Sequence, residues 1–141
     1  MQKYISRSED ETKAIAAKLA EVSQSNIFAL TGNLGTGKTI FAQGFARGLG
    51  IKDKIISPTF VLIRQHSIPD TSKVFYHIDL YRPENFNHLG LGEILSDKNS
   101  VVLIEWAEKI ENILPKHTIK INITKESSYS RLISISKGPT I

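Results

Sequence analysis

The sequence predicts an α/β protein, with a central mixed sheet of parallel core strands and added antiparallel strands, flanked by helices. Three observations lead there. Ile27–Thr31 and Val101–Ile104 are continuous apolar runs of strand length, as expected of strands buried on both faces. The first run passes through a glycine-rich loop into an amphipathic helical pattern. Near the end of the chain, Thr118–Thr124 and Arg131–Ser136 alternate apolar and polar residues around a polar turn, which reads as two antiparallel strands.

Tyr4 and Ile5 are compatible with a short strand. Ser8 followed by Glu11 reads as a capping box, in which the hydroxyl caps the first turn and the glutamate reaches back. Ile15, Leu19 and Val22 then fall on one face of a helix ending near Gln24. After the strand at 27–31 and its loop, Lys38–Leu49 forms a second helix with Phe41, Phe45 and Leu49 on one face, and Gly50 is placed to stop it. Phe60–His66 and Val74–Leu80 read as strands joined across Pro69-Asp70, a hairpin signal. Leu89–Leu95 and Ala107–Leu114 read as helices, the latter ending before Pro115.

With 141 residues, 40% hydrophobic and 23% charged, the chain can build a sizeable core, and a single domain over 1–141 is expected. No cysteine is present, which excludes a disulfide scaffold and a thiolate zinc site and fits a reducing cytoplasm. No apolar stretch approaches the ~20 residues that cross a bilayer, and the first twelve residues have no apolar signal core. A soluble, cytoplasmic protein is expected, with no membrane or DNA partner.

The formal charge of +4 is unevenly placed. Residues 1–114 carry thirteen basic and thirteen acidic side chains; residues 115–141 carry Lys116, Lys120, Lys125, Arg131 and Lys137 against Glu126 alone. The C-terminal strand pair is therefore basic. It reads as a lysine-protected sheet edge or as a local patch facing a partner or RNA.

Gly32-Asn33-Leu34-Gly35-Thr36-Gly37-Lys38-Thr39 fits G-x-x-x-x-G-K-[ST] at every fixed position. Glycines let successive backbone N–H groups turn inward around phosphate oxygens, and the following helix aims its positive end at the same anion. Lys38 is placed to reach the β- and γ-phosphates and the Thr39 hydroxyl to bind Mg²⁺. With a buried strand before it and a helix after it, the loop specifies a P-loop NTPase fold that binds a nucleoside triphosphate with Mg²⁺. Such an enzyme needs a carboxylate at a neighbouring strand end. Glu105 follows the run 101–104 and Asp79 follows 75–78; either can serve the metal while the other orients water. Ser57-Pro58-Thr59 is a candidate segment sensing the γ-phosphate. The four histidines lack ligand spacing, and Trp106 is read as core.

Four motifs stand in one order: G-N-L-G-T-G-K-T at 32–39, S-P-T-F at 57–60, Y-H-I-D-L-Y-R at 76–82 and L-I-E-W at 103–106. Together they resemble the TsaE family, small bacterial ATPases of tRNA threonylcarbamoyladenosine biosynthesis, with similarity from Glu11 to about Pro115. The resemblance implies an ATPase, weak on its own, that joins the catalytic subunit of the transferase and its inactive paralogue and resets that complex between turnovers. It is not itself the transferase, and tRNA is met only indirectly. By position, residues 33–39 (Asn33, Leu34, Gly35, Thr36, Gly37, Lys38 and Thr39) hold nucleotide and Glu105 is a metal-site carboxylate. Asp79 is needed for hydrolysis, Ser57, Pro58 and Thr59 form a switch segment, and Thr12 and Arg131 border adenine or ribose. The family usually has Asp where this chain has Asn33, which removes one negative charge beside the phosphates. Two other readings use the same loop: a small-molecule kinase, against which no arginine cluster for a lid is present, and a nucleotide-gated module that does not hydrolyse.

Overall fold

The computed structural model describes residues 1–33, 35–55, 63–81 and 90–136. Leu34, the segment Ser57-Pro58-Thr59, Phe60 and Leu89 lie outside them. The elements are β1 (Gln2–Ser6), α1 (Glu9–Val22), β2 (Ile27–Thr31), α2 (Lys38–Gly48), β3 (Ile63–Ser67), β4 (Val74–Asp79), α3 (Leu91–Ser96), β5 (Ser100–Glu105), a 3₁₀ segment (Ala107–Ile113), β6 (Ile119–Lys125) and β7 (Arg131–Ser136).

Seven strands form one sheet in the order β1-β7-β6-β2-β5-β4-β3. β6, β2, β5 and β4 run parallel, while β3, β7 and β1 join antiparallel. The mixed α/β architecture expected from the sequence is thus present. The reason β2 reads as a solid apolar run is visible in its packing. Phe28 and Leu30 point into a core with Leu19, Phe41, Phe45 and Phe75, whereas Ile27 and Ala29 point into a second core with Leu91, Leu95, Val102 and Ile104. Helices α1 and α2 cover the first face; α3 and the 3₁₀ segment cover the second around the parallel strands. Each fully buried phenylalanine contributes about 2–3 kcal/mol, and Phe28 meets Phe45 edge-to-face at 4.7 Å.

Four local expectations are corrected. The buried stripe of α1 is Thr12, Ala16 and Leu19, with Ile15 at its margin; Val22 closes the helix at 36% exposure. At the start of α1, Glu11 N–H donates to Ser8 Oγ at 3.0 Å, but the Glu11 carboxylate accepts from Arg7 N–H at 2.7 Å, one residue beyond the ordinary capping box. Residues 107–113 form 3₁₀ turns kinked at Ile110 (φ −125°) rather than an α-helix. Two core contacts, Ala107 and Ile110, stand three apart, which suits three residues per turn. Finally, the basic C-terminal pair is not at a sheet edge. β7 is covered by β1 through the register Gln2↔Ile135 to Ser6↔Arg131, and β6 lies against the central β2. The edges are β1 and β3.

Helices α1 and α2 cross in very close contact. A Cβ on Gly44 would stand 2.4 Å from Lys13 Cα and the Lys13 carbonyl oxygen, and one on Gly48 would stand 2.3 Å from the Ala17 carbonyl oxygen. Only hydrogen fits at these two positions, four residues apart on one helix face. On an uncrowded helix, Gly→Ala gains up to ~1 kcal/mol from helix propensity. Here Gly44→Ala and Gly48→Ala are each expected to destabilise by about 1–3 kcal/mol, the cost of overpacking, as read by chemical denaturation; a gain in stability would contradict the crossing.

Candidate active site

Register alone brings the acidic residues together. Asp79 pairs with Glu105, and Glu105 with Leu30, so β4, β5 and β2 end at one level. Ligands of open parallel sheets bind beyond these carboxyl ends. Glu105 is the last residue of β5 rather than the residue after it. A cleft of about 850 Å³ opens there, lined among others by Thr12, Gly35, Thr36, Gly37, Lys38, Thr39, Asp79, Glu105, Trp106 and Arg131.

The loop's glycines are used for conformation. Gly35 (φ +79°) and Gly37 (φ +103°) occupy the left-handed region, and among the described residues a Cβ on either would meet no atom within 4 Å beyond its chain neighbours. Both border the cleft, so the open space beside them is room for a ligand. Lys38 opens α2 and is only 6% exposed. Its ammonium donates to the Gly32 carbonyl at 2.6 Å and stands 3.7 Å from the centre of the Trp106 ring. Burial pushes its pKa below the ordinary lysine value, and the carboxylates Glu105, Glu108 and Asp79 oppose that shift. Thr36 donates its hydroxyl to the Asn33 carbonyl at 2.8 Å and, through its own carbonyl, accepts from Arg131 Nε at 3.1 Å. Asp79 accepts the Tyr81 N–H at 2.9 Å.

Glu105 is 3% exposed and meets a fully buried His77, Nε2 to Oε2 at 2.5 Å. The next residue, Trp106, has φ +61°, a conformation costing a side-chain-bearing residue about 1–2 kcal/mol. That turn takes the chain off β5 immediately after Glu105. The indole is half-buried beside the cleft, between Lys38 and the Tyr81 ring at 4.9 Å. Thr39 and Glu105 supply oxygen donors of the kind a hard cation such as Mg²⁺ takes, so the residues present fit that ion.

A family profile described as "Threonylcarbamoyl adenosine biosynthesis protein TsaE" matches residues 6–133. The chain belongs to the TsaE family. It is 40% identical over 129 residues to the TsaE protein of Bacillus subtilis, covering 90% of this chain and 80% of the relative. It is also 40% identical over 137 residues to that of Rickettsia bellii, covering 94% and 92%. The crystal structure of Bacillus subtilis YdiB superposes with a TM-score of 0.79 at 35% identity, covering 95% of this chain and 83% of that one.

For this TsaE chain, the structure gathers Thr12, Gly35, Thr36, Gly37, Lys38, Thr39, Asp79, Glu105 and Arg131 around one cleft. Asn33 is exposed, does not line it, and contributes a carbonyl that braces Thr36. The basic C-terminal pair reaches the cleft through Arg131, together with Ser128 and Tyr129 of its turn, and the family match also extends past Pro115. Sequence reasoning passed over two residues. Trp106, read as core, does pack against the second core and also borders the cleft. His77 has no metal-ligand spacing in the sequence, but its place two residues before Asp79 on β4 puts both on one face.

Lys38 being buried as a cation gives a pH-dependent prediction. Its folded pKa is lowered, so the unfolded chain binds that proton more tightly and the charge disfavours folding at neutral pH. The disadvantage fades as pH rises through the lowered value toward 10.5. Lys38→Met is expected to melt higher than the wild type at pH 7, with the gap narrowing toward pH 10 in thermal scans. An equal or lower melting temperature at pH 7 would contradict the burial cost.

Proposed function

We propose that this protein binds and hydrolyses ATP with Mg²⁺ as an accessory ATPase of tRNA threonylcarbamoyladenosine formation in the cytoplasm. In this reading it joins the catalytic subunit of the transferase and that subunit's inactive paralogue, and its nucleotide cycle resets the complex. Membership of the TsaE family supports the pathway. What carries the chemistry is one observation: a phosphate loop with a buried lysine faces two strand-end carboxylates across a single cleft.

The residues divide the work by their chemistry. Backbone N–H groups of residues 35–39, on a loop opened by Gly35 and Gly37, surround phosphate oxygens, and the N-terminus of α2 adds its dipole. Lys38 leaves the Gly32 carbonyl for the phosphates, where its charge is worth more because it is already stripped of water. Thr39 and Glu105 would hold Mg²⁺, which supplies neutralisation of charge on the phosphate oxygens. Asp79 orients the attacking water, its carboxylate steadied by the Tyr81 N–H. Arg131 fixes the loop by holding the Thr36 carbonyl and, with Thr12, borders the nucleoside end of the cleft. Ser57-Pro58-Thr59 serves as the switch segment.

The test is a set of three variants assayed for ATP binding and hydrolysis. Lys38→Ala is expected to lose binding. Asp79→Asn and Glu105→Gln are expected to keep binding but to hydrolyse about a hundredfold more slowly or worse. Wild-type turnover in Lys38→Ala would overturn the ATPase. Phosphate transfer to a sugar or nucleoside, without ATP-dependent co-elution with the two transferase proteins, would replace it by the kinase reading.

A further inference from the structure

His77 is a polar side chain with no exposure, on β4 between β5 and the edge strand β3. It stands two residues before Asp79 on β4, on the same face, opposite Leu103 of β5. From there its ring reaches diagonally to the strand's last residue, placing Nε2 2.5 Å from Glu105 Oε2. The other ring nitrogen, Nδ1, is buried and finds no hydrogen-bond partner among the described residues. Phe75, two positions earlier on the same strand, is stacked nearly parallel to the imidazole, with 14° between the planes at 6.3 Å.

These contacts determine where the ring proton belongs. A proton on Nδ1 would be a buried donor with no acceptor, a costly state. A proton on Nε2 donates to a carboxylate, a strong charge-assisted bond. The Nε2–H form is therefore the one this surrounding favours, with Nδ1 a bare lone pair in an apolar wall. We propose that His77 is a positioning residue: it grips Glu105 by Oε2, fixes the rotation of that carboxylate, and leaves Oε1 as the oxygen without a protein hydrogen bond among the described residues. Glu105 ends its strand just before the positive-φ turn at Trp106, so backbone pairing alone does not settle how its carboxylate is rotated. A partner that orients a metal-site ligand commonly matters almost as much as the ligand. The value of His77 to turnover rests on the reading of Glu105 as a hydrolysis residue; the hydrogen bond itself does not.

Two measurements on the full chain test this separately. In nitrogen NMR of histidine-labelled protein, Nδ1 of His77 is expected to resonate as an unprotonated, pyridine-type nitrogen and Nε2 as a protonated one. A protonated Nδ1 would overturn the proposal. In ATP hydrolysis with Mg²⁺, His77→Leu is expected to lower kcat about 10- to 100-fold with KM for ATP nearly unchanged. His77→Gln, whose amide nitrogen can replace Nε2 as donor, is expected to recover most of that loss. Wild-type kcat in both variants, or equal losses in both tracking an equal fall in melting temperature, would reduce His77 to a core residue and sink the idea. A wild-type chain that hydrolyses no ATP would count against the role of Glu105 and the ATPase reading, while the spectrum would still decide the hydrogen bond.

Discussion

One buried ammonium sets the terms for the rest of this structure. Lys38 is taken almost wholly out of water at the start of a helix, where the dipole is also positive, and both effects disfavour its charge. What makes the arrangement tenable is around it: a carbonyl at 2.6 Å, an indole face at 3.7 Å, and carboxylates at two adjacent strand ends. Each of these partners requires something of the fold. The carbonyl requires Gly32 to turn back over the helix. The indole requires Trp106 to take a left-handed conformation. The carboxylates require β4 and β5 to end in register. A cation held so is poorly satisfied by the protein alone and is well suited to an anionic ligand.

The scaffold achieves this by stiffness. Two cores clamp the central strands from both faces, and the glycine-spaced crossing locks α2 against α1. The same crossing carries Thr12, braced by Ser6 at 2.7 Å, to the cleft's far wall. Arg131 completes the enclosure from the opposite end of the chain, gripping the loop backbone at Thr36 across 95 positions of sequence.

Local patterns were legible in the sequence where the physics is local. The double-sided burial of β2 and β5 showed as apolar runs, the positive-φ turns at Gly35 and Gly37 as a glycine spacing, and the β3–β4 hairpin as a Pro-Asp turn, where Asp70 has φ +63°. Misreadings arose where distant segments meet. Lysines on β6 looked like edge protection, yet β6 lies between β2 and β7, and β1, more than a hundred residues away, pairs outside β7. Lys120 stands on an open face instead, where it pairs with Glu111, and Lys125 is exposed at the end of β6. Trp106 does pack against the second core, as its aromatic character suggests, and its backbone turn also puts it beside Lys38, which the sequence did not show. The crossing of α1 and α2 was written as Gly44 and Gly48, four residues apart, a signal available in the sequence but masked by the phenylalanines beside it.

Trp106 also supplies the most direct reporter, since it is the chain's single tryptophan and lies under the Lys38 ammonium. Intrinsic fluorescence should be followed while ATP with Mg²⁺ is titrated into the wild type and into Lys38→Met. If the cleft takes a nucleoside triphosphate by drawing Lys38 from the indole to the phosphates, emission changes saturably with ATP, not with adenosine, and not in the variant. Emission that stays constant with ATP, or that responds equally to adenosine, would contradict a phosphate site built on Lys38.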